Sequence, residues 1–266
     1  MVPYAFTAGR TPLLVSMPHV GTHIPEAIAG RMTDAARAVP DTDWHVDRLY
    51  DFLEALGASV ITATHSRLVV DLNRAPDGTP LYPGASNTEL CPTTLFDERP
   101  VYQAGQEPSE TEIAGRIEEY WRPYHERLSI ETRALRAEHG VAVLFDAHSI
   151  RSRVPRFFEE RLPDINLGTG GGSSADPALA AAALEAAAEA DGYTSVLNGR
   201  FKGGYITRSY GRPQQGMHAI QLELAQATYM DEDPPFRFRE DLAKQVRPAL
   251  RRVVQAVLDW AAERVG

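Results

Sequence analysis

Two short apolar runs in this sequence end in histidine. Residues 141–145 lead into Asp146-Ala147-His148-Ser149, and Leu13-Leu14-Val15-Ser16-Met17 leads into Pro18-His19. Each reads as a buried strand with its polar residues at the carboxyl end, where open α/β sheets collect ligands and catalytic groups. One histidine at a strand end is ordinarily a hydrogen-bonded structural residue. Two of them, each beside small residues that leave room for a bound atom, point to one shared site. Imidazole is the commonest neutral ligand for zinc and similar ions. The first expectation is therefore a divalent metal ion, Zn2+ by preference, held by His19 and His148. Asp146, two residues before His148, would either orient that ring or bind the ion itself.

A hydrolytic zinc site has three protein ligands and a water, so a third ligand is needed. Asp43 is the choice, in Asp41-Thr42-Asp43, where a helix is expected to begin. Asp41, His45 and Asp47 compete with it, and the plainer reading of Asp43 is a helix cap. Glu223 lies inside the apolar run Ala219-Ile220-Gln221-Leu222-Glu223-Leu224. A lone carboxylate there is costly without a partner or a purpose. Burial raises a Glu pKa toward neutrality, which suits a general base acting on water. The competing reading of Glu223 is a buried ion pair with an Arg, and Asp146 is the alternative base.

Positive charge gathers in Ser66-Arg67-Leu68-Val69-Val70-Asp71-Leu72-Asn73-Arg74. Guanidinium groups grip carboxylates with paired hydrogen bonds. Arg67, Asn73 and Arg74 thus make a seat for a small acidic substrate, unless Arg67 and Asp71 pair only for structure. Gly203-Gly204-Tyr205-Ile206-Thr207-Arg208 would add backbone donors around Gly204 and Tyr205 and a further guanidinium, Arg208. Its glycines otherwise make a simple turn.

Other chemistries fail on spacing. The sequence has no GxGxxG after a strand, no Walker motif, no GxSxG elbow and no HExxH. Gly168 to Gly172 is glycine-rich but lacks the Lys of a phosphate loop, and Cys91 has no nearby His in sequence. The formal net charge of −9 argues against nucleic acid or an anionic membrane as partner. A small anionic substrate then needs a local cluster of Arg. The single cysteine excludes an intrachain disulfide and fits a reducing cytoplasm. Residues 1–6 lack the pattern of a signal peptide. The apolar tract 178–188 is too short to span a bilayer.

These side chains need elements to hold them. Strands are expected at 11–17, 58–62, 68–72, 141–145, 164–167, 194–197, 205–207 and 218–224. Helices are expected at 26–32, 34–39, from Asp43 to about Leu56, at 110–138 with a bend at Pro123, from Asp176 onward, and at 239–265. Residues 76–96 read as a long loop rich in Pro, Gly, Thr and Asn. The 266 residues carry 43% apolar side chains and no internal repeat. Strands alternating with helices imply one α/β domain, 1–266, with a mostly parallel or mixed sheet flanked by helices.

Taken together, Pro18-His19-Val20-Gly21-Thr22-His23-Ile24-Pro25, Asp41-Thr42-Asp43 with Val46-Asp47, Ser66-Arg67 with Asp71-Leu72-Asn73-Arg74, Asp146-Ala147-His148-Ser149, Lys202-Gly203-Gly204-Tyr205-Ile206-Thr207 and Leu222-Glu223 resemble the N-formylglutamate amidohydrolases. The resemblance runs from about residue 11 to 260. It implies a fold similar to zinc-dependent exopeptidases, a metal-activated water, and hydrolysis of N-formyl-L-glutamate to formate and L-glutamate at the end of a histidine degradation route. His19 and His148 carry over as ligands. Hydrolysis of another N-acyl amino acid or peptide, or non-catalytic binding of an acidic amino-acid derivative, are the rival readings.

Overall fold

The computed structural model describes residues 2–81, 84 and 86–265. Met1, Tyr82, Pro83, Ala85 and Gly266 lie outside the described residues, so the loop expected at 76–96 and the two chain ends are described in part.

Seven strands form one mixed sheet in the order β1-β3-β2-β4-β7-β5-β6. They are β1 Tyr4–Thr7, β2 Leu13–Met17, β3 Ser59–Ala63, β4 Ala142–Ile150, β5 Ile165–Gly168, β6 Ser195–Leu197 and β7 Met217–Ala225. The run β3-β2-β4-β7 is parallel, while β1 pairs antiparallel with β3 and β5 with β7. The helices are α1 Glu26–Ala29, α2 Asp34–Arg37, α3 Val46–Leu49, α4 Glu110–Arg116, α5 Arg122–His139, α6 Pro177–Ala188, α7 Tyr205–Tyr210 and α8 Glu240–Ala262. The α/β class and the mixed sheet between helices are as the periodicities led us to expect. Among the described residues, no helix is long and apolar enough to cross a membrane.

Side chains alternate across a strand, and here the alternation sorts the core into two layers. Leu13, Val15, Val143, Phe145, Ile220 and Leu222 pack with α6 and α8. Leu14, Ala142, Leu144 and Ala219 pack on the other face with Tyr124 and Leu128 of α5. Register pairs Ser16 with Asp146, Asp146 with Gln221 and His148 with Glu223. By the same alternation these residues share the α5 face. The polar residues of three adjacent parallel strands thus meet on one side, toward the strands' carboxyl ends.

Several local expectations are corrected. His148 does not follow its strand: β4 runs on through Asp146, His148 and Ser149 to Ile150, every residue buried. The helix expected over 43–56 is α-helical only at Val46–Leu49, because His45 enters it in the left-handed region and Tyr50 leaves it off helical geometry. The periodic residues Val46, Leu49, Tyr50, Leu53 and Leu56 are nonetheless buried. Residues 68–72 form turns and irregular backbone rather than a strand. Their backbone groups are met by the Asp71 N–H bond to Leu90 O, by Arg116 donating to Val69 O and by His125 bonding Leu72 O. Residues 205–207 open helix α7, whose first N–H groups donate to Asn73 O and Asn73 Oδ1. In the long helical stretch, Pro123 has no N–H and its ring would strike the carbonyl four residues back. A π-helical turn at Ile117–Trp121 opens the spiral just before it.

Candidate active site

His19, Asp43 and His148 converge at the carboxyl end of the parallel strands, with one candidate ligand atom from each lying within 4.8 Å of the others. His19 follows β2 in a loop tied to the next segment by Asp43 N–H donating to His19 O at 3.0 Å. The Asp43 carboxylate is not a helix cap. Its Oδ2 faces His148 Nδ1 at 3.0 Å and His19 Nδ1 at 3.8 Å, and it accepts from the Ser149 N–H at 3.2 Å. The competitors lie elsewhere: Asp47 is exposed, His45 bonds Phe236 O, and Asp41 accepts from the Phe96 N–H.

Each imidazole is held from behind by a carboxylate. His19 Nε2 meets Asp71 Oδ1 at 2.7 Å, and His148 Nε2 meets Asp146 Oδ2 at 2.9 Å. Asp146 also accepts from the Ser16 hydroxyl at 2.9 Å and from the Asn73 amide at 3.3 Å. Burial pulls the Asp71 carboxyl upward, but Arg67 and then His19 outweigh it and hold it well below the usual range. An ionised Asp71 accepts only, so His19 Nε2 carries the proton. Burial, with Arg67 beside it, lowers the His19 pKa and keeps the ring neutral. Its Nδ1 lone pair is therefore available, and it is buried with no hydrogen-bond partner. Burial opposes charge on His148, but Asp146 and then Asp43 outweigh it and raise that ring well above its ordinary pKa. The pocket between the two Nδ1 atoms and Asp43 thus favours positive charge. A divalent ion fits such a donor set, in which each ligating His is oriented by a second carboxylate.

These groups open on a narrow cleft, whose wall includes His19, His148, Glu223, Gln221, Arg67, Arg74, Asn73 and Gly204 together with Phe96, Phe157 and Phe201. Glu223 is buried, and burial pushes its carboxyl up to about 8. Among the described residues it makes no ion pair with an Arg. Its carboxylate accepts instead from Gln221 Nε2 at 3.2 Å. Arg67 lines the cleft but is partly spoken for, with NH2 donating to Asp71 Oδ2 at 2.6 Å and NH1 3.9 Å from Asp43. Arg74 also lines it while donating to Thr88 O and Oγ1.

Three residues of the 203–208 segment sit differently from one another. The Gly204 N–H is taken by Gln221 Oε1 at 2.8 Å, and a Cβ on Gly204 would strike the Asn73 side chain at 2.2 Å. Gly204 is thus required for close approach. The Tyr205 ring packs against Trp121 and His125, away from the cleft wall. Arg208 donates to Gly203 O and Leu81 O and is likewise absent from that wall.

The sequence reading missed Asp71 as the partner of His19, having paired it only with Arg67. It also missed Gln221, although a polar residue two before Glu223 in an apolar strand must share its face. The phenylalanines of the cleft carry no such sign, because they come from three separated loops.

Comparison with known proteins bears on the whole chain. A sequence model described as N-formylglutamate amidohydrolase matches residues 11–230. An N-formylglutamate deformylase of Pseudomonas aeruginosa is 55% identical, with 98% of this chain and 97% of that protein covered. One of Pseudomonas putida is 52% identical over the same shares. The crystal structure of N-formylglutamate amidohydrolase from Ralstonia eutropha JMP134 is 25% identical, covers both chains fully and superposes with a TM-score of 0.84. With most of its length matched by the family's sequence model and nearly all of it by relatives more than half identical, the chain belongs to the N-formylglutamate amidohydrolase family.

Proposed function

We propose that this protein hydrolyses N-formyl-L-glutamate to formate and L-glutamate at a single divalent-metal centre, Zn2+ by preference, in the cytoplasm and as the last step of a histidine degradation route. The observation that carries the reading is the buried Glu223 carboxyl, raised to about 8, in the cleft lined by His19 and His148, the two rings that converge with Asp43. The substrate follows from the relatives, which are named N-formylglutamate deformylases.

His19, Asp43 and His148 would hold the ion, with His19 Nδ1 as the free lone pair that such a ligand needs. When bound, the ion supplies a Lewis acid and lowers the pKa of a water to about 7. Glu223 takes the proton from the attacking water and returns it to the leaving amine nitrogen. A carboxyl whose pKa lies near neutrality can do both. Asp71 and Asp146 keep the two imidazoles in the tautomer and orientation that ligation requires. Arg67 and Arg74, on the cleft wall, hold the substrate carboxylates, while the phenylalanines exclude water around its methylene groups.

The test is release of free amino acid from a panel of N-formyl and N-acetyl amino acids, with and without prior chelation. Hydrolysis of N-formylglutamate that chelation abolishes and metal restores is the expected result. Binding without turnover would make the protein a carrier of acidic amino-acid derivatives. Comparable turnover across the panel would make it a broader N-acyl amino acid hydrolase.

A further inference from the structure

Glu223 is a flexible side chain in a buried strand, and among the hydrogen bonds described only one reaches its carboxylate: Gln221 Nε2 to Oε2 at 3.2 Å. Gln221 is itself 4% exposed and lies on the same face of β7, one strand repeat earlier. Its other end is fixed. Gln221 Oε1 accepts from the Gly204 N–H at 2.8 Å. A backbone N–H can only donate, so the amide oxygen must face Gly204 and the amide nitrogen must face Glu223. Gly204 in turn abuts the Asn73 side chain, which donates to Asp146 behind His148. The turn at Gly204 therefore sets the amide that meets Glu223 and the amide behind His148 from one point.

We propose that Gln221 is a positioning residue for proton transfer: anchored by Gly204, its amide holds the Glu223 carboxylate in the orientation from which it acts. The inference rests on the reading of Glu223 as the proton acceptor. A donor fixed on one carboxylate oxygen leaves the other to face the cleft and removes rotational freedom that turnover would otherwise have to quench.

The experiment compares Gln221→Met, Glu223→Gln and the double variant in the metal-loaded full-length protein. Met keeps the length and bulk of Gln and removes both amide bonds. Gln221→Met should lower kcat on the order of ten- to a hundredfold, the worth of a hydrogen bond to a charged group. KM should stay within about twofold, since Gln221 lines the cleft but both ends of its amide are engaged by Gly204 and Glu223. In the Glu223→Gln background the same change should cost less than about threefold, because the group it positions no longer takes a proton. Wild-type turnover in Gln221→Met beside a collapsed Glu223→Gln overturns the inference alone. An equal loss in both backgrounds also overturns it, making Gln221 a scaffold residue. Wild-type turnover in Glu223→Gln overturns the base assignment and the inference with it. If Gln221→Met does not fold, Gln221→Asn replaces it in both backgrounds: its amide sits one methylene nearer the backbone and falls short of the 3.2 Å contact to Glu223. Full turnover in that variant refutes the role of Gln221, and a comparable loss supports it.

Discussion

Replacing Asp71 with Asn should weaken both the fold and the metal centre, by separable amounts. Asp71 is wholly buried and serves three donors: His19 Nε2 at 2.7 Å, Arg67 NH2 at 2.6 Å and the Asn73 N–H at 2.8 Å. An amide has one oxygen and one nitrogen at its tip, so in either orientation its NH2 group faces a donor, His19 or Arg67. The Arg67 guanidinium is also left in the interior without a full counter-charge. Removing one partner of a buried ion pair typically costs about 3–5 kcal/mol. Part of that is recovered here, because Arg67 also lies 3.9 Å from Asp43. We expect a loss of about 2–4 kcal/mol in urea unfolding of the metal-free protein. On top of this, His19 loses the carboxylate that fixes its tautomer. Loss of such a partner typically lowers metal affinity about 10- to 100-fold. Competition with a chromophoric chelator reads that second effect independently of stability. A variant that unfolds within about 0.5 kcal/mol of the wild type and holds metal equally well would show that Asp71 neither neutralises Arg67 nor orients His19.

Three further outcomes follow from the same geometry. His19→Ala should lose bound metal as measured by elemental analysis, and chelation should lower the thermal midpoint of the wild type but not of this variant, because an ion at a hundred times its Kd adds about 2.7 kcal/mol to native stability; full metal content in His19→Ala would exclude it as a ligand. N-formylglutamate should be preferred over N-formylglutamine by roughly thirtyfold to a few hundredfold in kcat/KM, the worth of one charge-assisted contact of about 2–3 kcal/mol; Arg74→Ala should shrink that ratio and Arg74→Lys restore only part of it, whereas equal rates on both substrates would assign the arginines to structure. His125 is stacked on Trp121 at 3.7 Å with Nε2 bonded to Leu72 O, and burial pushes its pKa down to about 3; its folded pKa lies below the unfolded value, so its contribution is complete above about pH 6.5 and is lost as pH falls toward 3, about 1.4 kcal/mol per unit. His125→Gln should then lose about 2 kcal/mol less than the wild type between pH 7 and pH 4.5 in urea unfolding, and an identical acid loss in the two proteins would mean the ring is not buried neutral.

What the sequence told of the fold came from residues whose own neighbours decide their structure. The buried central strands are continuous apolar runs because both faces are covered, and β2, β4 and β7 were legible for that reason. Helix α6 was legible from Asp176, whose carboxylate accepts from the Ala178 N–H one turn ahead of the Ala-rich run. Residues 68–72 have the β-branched composition of a strand, but their backbone is satisfied in part by Arg116 of α4 and His125 of α5. Helix α7 begins on Asn73, more than a hundred residues away in sequence. No local pattern carries a cap or a hydrogen-bond partner supplied from so far off.

The candidate site divides along the same line. His19, His148 and Glu223 were legible because a polar residue at the end of, or inside, an apolar strand is costly and so stands out, and Asp43 because a hydrolytic site with two His ligands calls for a third, which the acidic start of the next segment offers. Their supporting groups were not, because each is explained twice over in sequence. Asp71 can be assigned wholly to Arg67, four residues away, and only the fold adds His19 to the same carboxylate. Gly204 reads as a turn, and only the fold sets its N–H on Gln221 and its Cα against Asn73. The segment 71–74 is where these contacts meet. Asp71 reaches His19 and Asn73 reaches Asp146, while the carbonyls of Leu72 and Arg74 are held by His125 and Trp121. Those two aromatic residues flank Pro123, which lies just past the π-helical turn Ile117–Trp121. A distortion in the helix thus sets the segment whose side chains orient both imidazoles. Pro123→Ala should therefore weaken metal binding without touching His19, Asp43 or His148, as read by competition with a chromophoric chelator; unchanged affinity would show that the bend does not position residues 71–74.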